Sequence, residues 1–165
     1  MGMDPDLRER AVELLLREAE FLDEKRWDDW LDLYTEDAEF WIPAWDGEHT
    51  LTKDPNREIS LIYYQSRAGL EDRIFRLRTE LSLASTPLPR TVHLLTNHRF
   101  NASGDGVIEV RSNYTTHSYK HKTTKTFYGY YEHRLRLSGD RLLIARKRVI
   151  VLNDTIPTVL DLYSV

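Results

Sequence analysis

Between Arg90 and Leu152 the sequence falls into four long β-favouring runs separated by turn residues, and few folds other than an antiparallel meander can satisfy that pattern. Thr91 to Asn101 is the first run, closed by the turn Gly104-Asp105-Gly106. Val107 to about Lys122 and Thr126 to Leu137 follow. Gly139-Asp140 then makes a tight turn into Leu142 to Leu152. A sheet of this size needs something to cover one of its faces, and the first half of the chain supplies it.

Asp4 can cap a helix whose first position is Pro5, and Leu7, Ala11, Leu15, Ala19 and Leu22 then form one stripe, widened by Leu14 and Phe21. A second short helix carries Trp27, Trp30, Leu31 and Tyr34 at helical spacing and ends near Glu36-Asp37. Ala38 to Pro43 alternates as a strand stopped by its proline, and the turn-rich loop AWDGEHTLTKDPN comes next. From Ile59 to Thr79 an apolar run hands over, after Ser66 as N-cap, to a helix with Leu70, Ile74 and Leu77 on one face. Arg73, Arg76 and Arg78 gather late in that helix, where the carbonyl end of the dipole favours cations. Ser85 to Pro89 reads as a link. The tail from Ile156 to Val165 has an apolar end, Leu160 to Val165, suited to packing. Helices first and sheet afterwards is an α+β plan: N-terminal helices packed on a strongly curved antiparallel sheet, cone-like, in one domain spanning 1–165. Such a cone has room for a pocket.

The composition is that of a soluble chain, with 41% hydrophobic and 30% charged residues. No apolar run is long enough for a membrane span, and MGMDPDLRER is not a secretory leader, so the expected location is the cytoplasm. Cysteine is absent, which excludes disulfides, thiolate zinc sites and any iron–sulfur cluster carried by this chain alone. Residues 1–59 hold 18 acidic and 7 basic side chains, a balance of −11, leaving 9 acidic and 16 basic, or +7, for residues 60–165. Opposed poles of this kind can steer association between unlike faces.

Six histidines raise the question of a metal. Strand alternation places His117 and His121 on one face and sets His93 and His98 on opposite faces, with no carboxylate at ligand spacing, so no metal site is expected. Arg111, Lys120, Lys122 and Lys125 interleave with Tyr114, Tyr119, Phe127, Tyr128, Tyr130 and Tyr131. That pattern could stack single-stranded nucleic acid, but the chain is acidic overall and lacks an RNP-like motif, so a face that meets another protein fits better. If the cone is itself a catalyst, a free-standing dehydratase or isomerase, Tyr34, Asp37 and His93 are its candidate acid–base residues.

Several ordered blocks resemble the small (β) subunits of Rieske-type aromatic-ring-hydroxylating dioxygenases. They are REAEFLDEKRWDDWLDLYTEDAEFWIPAWD, LTKDPNREISLIYYQSRAGLEDRIFRLRTE, RTVHLLTNHRF and RKRVIVLNDTIPTVLDLYSV, which together span essentially the whole chain. PAWD followed by LTKDP and EISLIYY is most similar to the branch acting on benzoate, anthranilate and related carboxylated aromatics. The resemblance implies a nuclear-transport-factor/cystatin-like cone with no catalytic, cofactor or metal residues of its own. It also implies a large (α) subunit bearing the Rieske [2Fe–2S] cluster and the mononuclear iron, three of each subunit in a hexamer, trimeric self-association, and electrons from NADH through a reductase or ferredoxin. On this reading the loop Pro43 to Asn56, with Trp45, and the arginines Arg73 and Arg76 are expected at subunit contacts.

Overall fold

The computed structural model describes residues 2–79, 87–156 and 160–165. The first helix, α1 (Pro5–Asp23), starts as its sequence dictates, with the Asp4 carboxylate accepting the Asp6 N–H at 3.2 Å. Its stripe of Ala11, Leu14, Leu15, Ala19 and Leu22 is buried, with Leu7 and Phe21 packed at the margin.

The second helix, α2 (Trp27–Asp32), is shorter than its spacing suggests. Tyr34, expected on it, instead opens strand β1 (Tyr34–Pro43), which begins well before Ala38. Tertiary pairing overrides local periodicity at this point. The Leu33 carbonyl accepts the Ile144 N–H at 2.8 Å, and Tyr34 is in register with Ile144. Strand β2 (Ser60–Tyr64) and helix α3 (Arg67–Arg78) follow. Ser66 occupies the N-cap position, but its side chain makes no capping hydrogen bond. Leu70, Ile74 and Leu77 are buried as expected.

The meander comprises β3 (Arg90–Ser103), β4 (Val107–Lys120), β5 (Thr123–Ser138) and β6 (Arg141–Val151). The sheet order is β2-β1-β6-β5-β4-β3. All neighbours are antiparallel except β1 and β6, which run parallel, so the antiparallel plan has one departure where the N-terminal strand joins the last one. The sheet curls around α1, which touches both β3 and β6. Gly129 allows the close approach of β5 to β6, since an added Cβ would lie 1.9 Å from the Ile150 carbonyl oxygen.

Strand alternation breaks at three places. His121 and Lys122, at φ 52° and 62°, form the two-residue turn between β4 and β5 rather than extending a strand. His121 therefore does not share a strand face with His117. On β3 the register with β4 slips between Thr96 and Arg99, around Asn97 at φ 57°. On β6, Leu135 pairs with Ile144 but Arg134 pairs with Arg146, leaving Ala145 unmatched. Each of these two slips reverses which side chains face inward.

At the C-terminus, Asp161 to Val165 are buried, and Arg73 pairs with Asp161 through two guanidinium nitrogens. Arg73, expected at a subunit contact, docks its cation on this chain's own tail. Arg76 remains exposed. Residues 85–86 of the expected link, and 157–159 of the tail, lie outside the described residues.

Candidate functional site

Glu18 sits on α1 one turn before Leu22 and one turn after Leu14, so the helical period alone drives it into the core. A carboxylate there must be paired. Lys147 supplies the cation: its Nζ lies 2.7 Å from Glu18 Oε1, and the Lys147 and Glu18 side chains are 0% and 1% exposed. The unmatched Ala145 is what turns Lys147 inward, because strict alternation from Ile144 would aim it at solvent.

The same oxygen accepts the Tyr34 hydroxyl at 2.7 Å and the Trp30 indole N–H at 3.4 Å, while His133 Nε2 lies 3.8 Å from Oε2. Lys147 Nζ also stands 4.4 Å from the Tyr131 ring centre and 5.7 Å from that of Phe40. Tyr131 stacks on Tyr114 at 4.3 Å and meets His133 edge-on at 5.4 Å. Aromatic rings thus surround the buried ion pair inside the sheet.

Burial opposes the Glu18 anion, but the Lys147 ammonium and His133 more than offset it and hold the carboxyl well below the usual range. Burial pushes the His133 imidazole down and, with the Glu18 charge, pushes the Tyr34 hydroxyl well up. The arrangement is a buried anion held by the Lys147, Tyr34 and Trp30 donors.

A second pair ties the end of α1 to β3. Asp23, the last residue of α1, accepts the His93 backbone N–H at 3.0 Å and the Thr91 hydroxyl at 2.9 Å, and its Oδ1 lies 2.5 Å from His93 Nδ1. Burial works against ionisation of Asp23, yet the His93 contacts depress its pKa. His93 Nε2 is buried without a hydrogen-bond partner among the described residues.

The three residues expected as acid–base partners are not brought together. Tyr34 bonds to Glu18 and His93 to Asp23, while Asp37 is exposed on the surface beside Arg136, whose hydrogen bonds lower its pKa to about 2. His93 and His98, expected on opposite faces, both point inward, because the slip around Asn97 aims His98 at the Ser112 hydroxyl, 2.7 Å away. The interleaved basic–aromatic run also divides. Tyr114, Phe127 and Tyr131 are core, whereas Tyr119 and Tyr128 face solvent. Sequence reading missed Glu18, Asp23 and Lys147; a Glu on an otherwise apolar helical stripe was the available signal.

The expected loop is a small ordered hairpin. Trp45 bridges to Leu51, Thr52 N–H donates to Ala44 C=O, and the Trp45 indole N–H reaches the Val151 carbonyl at 2.8 Å. No helix among the described residues is long and apolar enough to cross a membrane.

Comparison with known proteins adds the family context. The model of a family described as ring hydroxylating beta subunit matches residues 17–158. The chain is 45% identical over 157 residues to the toluate 1,2-dioxygenase subunit beta of Pseudomonas putida, covering 95% of this chain and 97% of that one. The solved beta subunit of benzoate 1,2-dioxygenase from Burkholderia mallei is 38% identical with a TM-score of 0.79, over 100% of this chain and 99% of that one. At 16% identity and a TM-score of 0.63, an NTF2-like protein with a cystatin-like fold from Novosphingobium aromaticivorans, matched over 90% of this chain and 83% of its own, shares the fold alone.

Proposed function

Because this chain belongs to the family of ring hydroxylating beta subunits, we propose that it is the structural small subunit of an oxygenase that cis-dihydroxylates a carboxylated, benzoate-like aromatic ring with O2 and NADH-derived electrons. The observation that carries this reading is similarity along nearly the whole chain to a toluate dioxygenase subunit, joined to an interior spent on a locked ion pair. Toluate and benzoate, named for the two relatives, are both aromatic carboxylates.

The metal groups would belong to the partner. A Rieske cluster takes cysteine thiolates, which a chain with no cysteine cannot supply, and the described residues contain no cluster of three potential ligands. The large subunit would hold the cluster and the mononuclear iron. This chain, one domain with no catalytic residues, would organise three such subunits in an α3β3 assembly in the cytoplasm, fed by a reductase or ferredoxin. Phe75 at 63% exposed, Ile59 at 78% and Leu61 at 42% give it apolar surface for partners, beside the exposed Arg76.

Co-expression with the large subunit tests the proposal. A stable, red-brown complex that oxidises benzoate or a relative to a cis-diol is the expected result. If the purified chain alone turned over a small substrate and lost that activity on His93→Ala, the cone would be a catalyst in its own right and the structural reading would fail.

A further inference from the structure

Most arginines of the sheet are neutralised by a carboxylate. Arg134 pairs with Glu109, Arg136 with Asp37, Arg141 with Asp32, Arg146 with Glu39 and Arg148 with Glu132. Arg99 and Arg111 differ. They are directly opposite each other on β3 and β4, both exposed, and neither has a carboxylate within ion-pair distance among the described residues. Glu132, in register with Arg111 on β5, is engaged by Arg148 instead. Like charges in direct cross-strand register destabilise a sheet.

The slip around Asn97 creates this juxtaposition. Before it, odd-numbered residues such as His93 face inward; after it, Phe100 packs inward and Arg99 is turned out to meet Arg111. The Arg111 guanidinium lies over the Tyr130 ring at 4.0 Å, which uses its face and leaves its edge N–H donors unspent. Asn97 and Asn113 join the two arginines and His98 around a surface pocket of 410 Å³.

We propose that this bulge pocket is an oxyanion site, in which the Arg99 and Arg111 guanidinium edges and the Asn97 and Asn113 amides take a carboxylate or a phosphate. Two planar forks suit either anion by paired N–H···O contacts. All the residues that line the pocket belong to this chain.

The full chain, titrated at low ionic strength with inorganic phosphate and separately with benzoate, provides the test by arginine Nε–H NMR. Saturable shifts at Arg99 and Arg111, absent at the exposed Arg76, are expected, and Arg99→Gln should weaken binding by about tenfold or more. Saturation by phosphate alone identifies a phosphate site, and saturation by benzoate identifies one that takes carboxylates. No saturation with either, equal shifts at Arg76, or unchanged binding in Arg99→Gln overturns the proposal. Without anion, Arg99→Gln should melt no lower than the parent, since it relieves repulsion. A lower melting temperature would show that Arg99 serves the fold instead.

Discussion

Lys147 Nζ and Glu18 Oε1 meet at 2.7 Å inside the cone, with both side chains withdrawn from solvent. Breaking a buried pair from one side strands the other charge. Glu18→Gln and Lys147→Met should each lose about 3–5 kcal/mol of unfolding free energy, and the double variant should lose less than the sum of the two. Chemical denaturation in a double-mutant cycle measures this. Single losses under about 1 kcal/mol would mean that the pair is not closed to water.

Acid should weaken the fold in two stages. The folded pKa of His133 is depressed below its ordinary 6.5 by burial, with the Lys147 and His98 charges adding to it and Glu18 opposing. A depressed folded value means that the unfolded chain binds the proton first. His133 therefore contributes stability above pH 6.5 that is lost as pH falls through the folded value. Glu18 and Asp23, also depressed, add their losses only below the ordinary carboxylate range. Denaturation series should show stability declining from about pH 6.5 towards pH 5 in the parent and a shallower decline in His133→Phe, where His98, also lowered by burial, still contributes. The same slope in both would assign the effect elsewhere.

The Asn97 bulge can be tested through its backbone. At φ 57° a β-branched side chain is strained, so Asn97→Val should cost about 1–3 kcal/mol, while Asn97→Gly should stay within about 0.5 kcal/mol of the parent. Equal costs would show that the amide, not the backbone, matters.

Arg73 and Arg76 sit on one helix but should behave differently. Arg73→Ala removes a partner of the buried Asp161 carboxylate, for an expected loss of about 1–3 kcal/mol and faster hydrogen exchange at Leu162 and Tyr163. Arg76→Glu should change stability by less than about 0.5 kcal/mol and lower the yield of complex with the large subunit. Wild-type yield from Arg76→Glu would remove this end of α3 from the contact surface.

At Gly129 the constraint is steric. Gly129→Ala should push β5 and β6 apart at a cost of about 3 kcal/mol or more, read as a lower denaturation midpoint. An unchanged midpoint would mean that the strands separate without cost.

Local patterns in the chain were enough to define most of its elements. Turn residues and β-favouring runs placed the four meander strands within a few residues of their ends, and helical periodicity identified the buried stripes of α1 and α3. The ordered blocks in both halves led to the right family. The facing of individual side chains, and the partners they meet, came instead from packing between distant segments. Lys147 reads as one of three consecutive cations on a solvated strand, yet one unmatched residue turns it into the core. His98 and Arg99 exchange sides for the same reason. Alternation is a local rule with a period of two, so a single inserted residue inverts it, and whether a bulge forms depends on the neighbouring strand. Tyr34 left its helix because β6 offered it a partner. Arg73 turned from a surface cation into an anchor because the chain's last residues, 88 positions away, return to it.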